Sequence, residues 1–93
     1  MARQVEHKLR VTAALLGTTA LKDLAAAFRR INASTSFEIG RAHKWMQGRS
    51  QPRELQLYED WSRVLGLDRP GQWIADCDLE TFVDEICVRH GGI

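Results

Sequence analysis

Little in this chain of 93 residues invites chemistry. There is no glycine-rich phosphate loop, no pair of histidines at metal-ligand spacing, and no nucleophile beside an obvious base. An enzyme is therefore not expected, and no catalytic residue or cofactor is assigned. Cys87-Val88-Arg89-His90 sets a thiol and an imidazole on one helix, and Cys77 could join them. Without a second Cys-x-x-Cys the set falls short of a zinc site, so no metal is assigned and both cysteines are read as buried free thiols. No apolar run approaches the roughly 20 residues of a bilayer span. No uninterrupted apolar stretch follows the charges of Met1–Glu6, so a secretory signal is not expected and the protein is placed in the cytoplasm, at the nucleoid if it binds DNA. Alternation of β-branched residues is nearly absent, which argues against a sheet. No aromatic row suited to single-stranded nucleic acid occurs.

What is present is a helical period throughout. The apolar share of 44% argues against disorder, and the length suits a single domain, residues 1–93, with one core. Val5, Leu9, Thr12 and Leu16 share one face of a first helix that Gly17 ends. Thr18 or Thr19 is placed to cap a second helix with Leu21, Leu24, Ala25 and Phe28 inside and Arg29 and Arg30 at its close. Residues 31–35 read as a turn. Thr35-Ser36-Phe37-Glu38 fits a capping box, which predicts a third helix over about 36–47, ended by Gly48. Ile39, Ala42 and Met46 project inward with Trp45 on the flank. Phe37, Gly40, Arg41, His43, Lys44 and Gln47 occupy the opposite arc. A fourth helix is predicted from Pro52 to Leu65, burying Leu55, Tyr58, Trp61 and Leu65 and stopping at Gly66. A helical turn around Trp73 and Ile74 follows. Asp78 then caps a last helix with Leu79, Phe82, Val83, Ile86 and Cys87 inside and Gly91 after it. The fold class expected is all-α, a compact domain of five or six helices.

Charge is unevenly spread along this frame. The net value is only +1, but residues 1–28 carry +2, residues 29–53 carry +5 and residues 54–93 carry −6. The molecule is dipolar, with a basic middle that can attract phosphate and an acidic latter half. Asp76, Asp78, Glu80, Asp84 and Glu85 read as a solvated acidic face.

Leu24-Ala25, then Trp45-Met46-Gln47-Gly48 with Pro52, then Val64-Leu65-Gly66-Leu67 resemble the lambda-repressor and Cro type of helix-turn-helix, the Xre-like family. The resemblance covers about residues 19–67, leaving 68–93 as a C-terminal helical extension. Residues 26–44 separate Leu-Ala from the tryptophan, a longer interval than the family's, so a lengthened turn or a longer second helix is expected. Leu21 stands near where the family often has a phosphate-binding glutamine.

The resemblance implies a sequence-specific binder of double-stranded DNA, a bacterial or phage transcriptional regulator. Its recognition helix would meet base edges while the flanks and the following loop meet phosphate. On residue chemistry, Arg41 can fork onto guanine and Gln47 can pair with adenine. His43 and Lys44 suit phosphate or a single base. Ser34, Thr35 and Ser36 suit a phosphate oxygen at a helix start. Phe37 either packs under the lengthened turn or meets a thymine methyl, and Arg49 and Arg53 anchor the backbone. A homodimer is expected, with Trp73, Ile74 and Phe82 of residues 70–90 supplying its apolar contact. The alternative is a helical protein-interaction module, an antirepressor or RNA polymerase-binding adaptor that docks on transcription machinery through the acidic half.

Overall fold

The computed structural model describes residues 4–18 and 20–90, and among them six helices and no strand. These are α1 (Val5–Leu15), α2 (Leu21–Ile31), α3 (Ile39–Met46), α4 (Leu55–Val64), α5 (Gly71–Asp76) and α6 (Leu79–His90). The fold is all-α, as the periodicity predicts.

The stops fall where glycine marks them. At Gly48 the backbone turns left-handed, with φ at 72°. Gly48 N–H donates to Trp45 O at 3.1 Å and Arg49 N–H to Lys44 O at 2.9 Å, which satisfies the carbonyls α3 leaves open. Gly17 and Gly66 end α1 and α4 with the same pair of bonds.

The starts depart from expectation. α3 begins at Ile39 behind an extended Glu38 with no side-chain cap, so the capping box is not formed. Thr35 Oγ1 instead accepts from Phe37 N–H at 3.4 Å. The cause is Phe37, which is 2% exposed, stacked on Phe28 at 4.4 Å and edge-on to Trp45 at 5.7 Å. Burying such a ring is worth roughly 1.5–3 kcal/mol, against about 1 kcal/mol for a cap. The ring wins, and residues 32–38 run as an extended connector. Ala20, not a threonine, stands at the N-cap of α2, and Thr18 Oγ1 donates to Ala13 O; Thr19 and Gly91 lie outside the described residues. α4 starts at Leu55 rather than Pro52. Asp78 does cap α6, its Oδ1 accepting from Thr81 N–H at 2.7 Å.

α1 lies between α3 on one side and α6 on the other, while α2 packs on α3 and α4, and α4 on α5. Two aromatic groups fill the space, Phe28–Phe37–Trp45 under α3 and Tyr58–Trp61–Phe82–Trp73 among α4 to α6. Ile74 and Phe82 are fully buried there and Trp73 is half-buried, so the surface expected to supply a dimer contact closes the domain's own core instead. Leu57 takes the inward place expected for Leu55, which is exposed, as is Leu16. The α4–α5 corner is tight. A Cβ on Gly71 would stand 2.4 Å from Glu59 N and 2.5 Å from Tyr58 C, so only glycine lets the two helices meet.

Polar groups inside this core are satisfied by distant backbone. Lys8 is fully buried, and its ammonium donates to Ile74 O at 2.6 Å and to Cys77 O at the carbonyl end of α5. Burial lowers the Lys8 pKa, opposed by Cys77, Asp76 and Asp78. Trp61 Nε1 donates to Thr12 Oγ1 at 2.8 Å, and that hydroxyl donates onward to Lys8 O. Asp60 is buried with no ion pair among the described residues, its carboxylate accepting from Asn32 Nδ2 and from Gln56 Nε2 at 3.0 Å.

Candidate nucleic-acid interface

α3 is amphipathic because Ala42 and Trp45, three residues apart, face the core and nothing else on the helix is fully buried. Ala42 carries too little side chain to hold the helix off its neighbours, and Trp45 fills the space beside it. Ile39, Gly40, His43, Lys44 and Gln47 then face solvent. The expected rotation was wrong by part of a turn. Ile39 is 40% exposed rather than inward, and Trp45 is inside rather than on the flank. Of the two readings of Phe37, packing under the turn holds and DNA contact does not, because the ring is inside; Ile39 stands as the exposed apolar group of this surface.

On the exposed stripe, His43 and Gln47 are one helical turn apart and Lys44 lies between them. A Cβ on Gly40 would meet nothing within 4 Å, so this face is open and low. Among the described residues neither His43 nor Lys44 has an ion-pair partner. Arg41 differs. Its Nη2 donates to both carboxylate oxygens of Glu54 at 3.0 Å, and its guanidinium lies 5.1 Å over the Trp45 ring. Arg41, expected free, is therefore held at the edge of the face by the start of α4. The Arg41 hydrogen bond holds the Glu54 carboxyl below its ordinary range. Both partners are more than a third exposed, so the pair is worth at most ~1 kcal/mol and can open to a stronger anion.

The connector before α3 is ordered by Asn32. Its Oδ1 accepts from Ser34 N–H at 3.0 Å and its carbonyl from Thr35 N–H at 2.9 Å, while its amide is anchored on Asp60. The amides of Ser34 and Thr35 are thus engaged within the turn rather than free at a helix start. Ser34 is exposed, Thr35 half-buried, and Ser36 Oγ is buried with no hydrogen-bond partner. Beyond Gly48, Arg49 donates to Gln47 Oε1 at 3.2 Å, and Arg53 is exposed. The fold therefore brings His43, Lys44, Gln47 and Arg49 together, with Arg41 at one side. It sets Ser36 and Phe37 apart from them.

Three contributors carried no visible signal in the sequence, Lys8, Arg10 and Asp60, while Ile39 was expected inside. Arg10 Nη2 donates to Met46 O at 2.9 Å, closing the carbonyl end of α3 from α1. His90 Nε2 stands 2.9 Å from Leu65 O, so the imidazole serves the end of α4. Both cysteines are half-buried free thiols, and burial pushes the Cys77 thiol up. Among the described residues no three His, Cys, Asp or Glu side chains gather as metal ligands, and no helix is long and apolar enough to cross a membrane. No family model, curated protein or solved structure matches the chain.

Proposed function

We propose that this domain binds double-stranded DNA in a sequence-specific way, as a helix-turn-helix transcriptional regulator of the Xre type acting in the cytoplasm. The observation that carries the reading is the outer face of α3, where His43, Lys44 and Gln47 stand exposed with no carboxylate among them. In this reading α3 enters the major groove. Ile39 meets a thymine methyl, Gln47 an adenine edge, and Lys44 and His43 a base or phosphate. Arg41 exchanges the solvent-exposed Glu54 carboxylate for a phosphate, or for the two acceptors on a guanine edge. Ser34 and Thr35 reach the backbone from the ordered connector. A homodimer on palindromic half-sites supplies the area that one module lacks.

The experiment is a gel-shift series on duplexes selected from random sequence. Lys44→Glu abolishes the shift while the helical circular dichroism stays that of the parent, and Arg41→Ala weakens it. Five or so phosphate contacts give a log–log salt slope of roughly −5. Parent-like binding by both variants, or a slope near zero, refutes the reading.

One observation favours a second reading. Glu80 and Asp84 are exposed on α6, and Val88 beyond them is 83% exposed. An acidic stripe ending in a bare aliphatic suits a basic protein surface, as an RNA polymerase-binding adaptor or antirepressor would use. Loss of a protein complex on Val88→Asp, with DNA absent, would establish it.

A further inference from the structure

The loop after α3, the start of α4 and the facing turn of α5 line a half-open cleft of about 570 Å3, within the roughly 300–1,000 Å3 usual for small-molecule sites. Its walls are fixed. Tyr58 OH donates to Pro52 O at 2.8 Å and holds the loop, Gly48 locks the loop's other end, and the Gly71 contact seats α5 against α4. The lining of the cleft includes two cations, Arg49 and Arg53, and the apolar Pro52, Leu55 and Ala75.

Two features call for a ligand. The first is uncompensated charge. Three carboxylates nearby are turned to other partners: Glu54 to Arg41, Glu59 to Gly71 N–H at 2.9 Å, and Asp76 to Gln72 Nε2 at 2.9 Å; a fourth, Glu6, lies beside Gly48 with Oε1 3.5 Å from His7 Nε2 and forms no ion pair with Arg49 or Arg53. Among the described residues Arg49 has the neutral Gln47 oxygen and no ion pair, and Arg53 has no ion pair. The second is Leu55, 51% exposed at the first position of α4, where the core does not use it.

We infer that this cleft binds a small amphipathic phosphate, a nucleoside monophosphate in chemical class, with the phosphate between Arg49 and Arg53 and the flat ring system on Leu55 and Ala75. Two guanidiniums suit a dianion better than a single carboxylate, because each can offer a two-pronged donor to phosphate oxygens. The apolar wall adds contact area that phosphate alone cannot use. A ligand here touches the loop that follows α3, so it would reach the outer face of α3 through the Arg49–Gln47 hydrogen bond.

The test is titration of the full chain with adenosine monophosphate, adenosine and inorganic phosphate, followed by backbone amide chemical shifts. Adenosine monophosphate moves the amides of residues 48–55 and 72–75. Adenosine and inorganic phosphate each bind at least roughly tenfold more weakly. Arg53→Gln and Leu55→Ser, both at exposed positions, weaken the monophosphate by a comparable factor and leave the helical spectrum unchanged. Lys44→Glu, outside the cleft, leaves this binding intact whether or not DNA is bound, so the outcome is separate from that of the gel shift. No shifts in the cleft, equal binding of phosphate or adenosine, or occupation of these amides by duplex DNA alone would each overturn the assignment.

Discussion

Lys8 and Arg10 sit on opposite sides of α1 and do the same thing to different halves of the molecule. Each carries a cation to the carbonyl end of another helix, Lys8 to α5 and Arg10 to α3. Lys8 does so fully buried, beside Phe82, with Asp76 and Asp78 near it; Arg10 does so in solvent. The acidic half, α4 to α6, is therefore fastened to α1 through a buried ammonium, beside the Trp61–Thr12 hydrogen bond and the packing of α6. The basic half is held by Trp45, Phe37 and a hydrogen bond that water can substitute. A surface that must adapt to a partner is better placed on the second kind of support, because local opening there costs less.

The sharpest way to break the comparison is Lys8→Ala. It removes a buried side chain and leaves the Ile74 and Cys77 carbonyls unmet, a loss of roughly 3–5 kcal/mol measured by urea unfolding. A loss under about 1 kcal/mol would show that water reaches those carbonyls. Next in size is Gly71→Ala, whose Cβ is driven into the backbone of α4; the expected loss is about 2–3 kcal/mol with α5 displaced. pH tests the same corner. Burial pushes the Tyr58 phenol from 10.0 up to about 12, so the folded state keeps this proton after the unfolded state has lost it. Stability from this group is whole below pH 10 and lost as pH rises from 10 to about 12, on the order of 2 kcal/mol. Tyr58 is the single tyrosine, so phenolate absorbance reads its midpoint directly, and a midpoint near 10 would mean an open corner. Arg10→Ala is the smallest effect, roughly 0.5 kcal/mol overall. Its mark is local, faster amide exchange in the last turn of α3 with no change in α5.

How far this could be read in advance varies by feature. Gly17, Gly48 and Gly66 announced three helix ends correctly, since a left-handed residue is a local need that local sequence reveals. Asp78 was legible for the same reason. Thr35-Ser36-Phe37-Glu38 misled because its capping chemistry is also local, and it lost to a contact between Phe37 and Phe28 that local pattern cannot show. That one insertion rotated α3, bringing Trp45 in and leaving Ile39 out. The exposed set His43, Lys44 and Gln47 survived the rotation. The freedom expected of Arg41 did not, because Glu54 lies across a turn whose path was unknown.

The all-helical class, the three glycine stops and the split between a basic middle and an acidic end were all written in residue order, because each depends on neighbours within a turn or two. Burial of Lys8 and Asp60, the seat of Gly71, the pairing of Arg41 and the cleft beside Leu55 arose from packing. Each needs atoms from helices distant in the chain, and only the closed core brings those together.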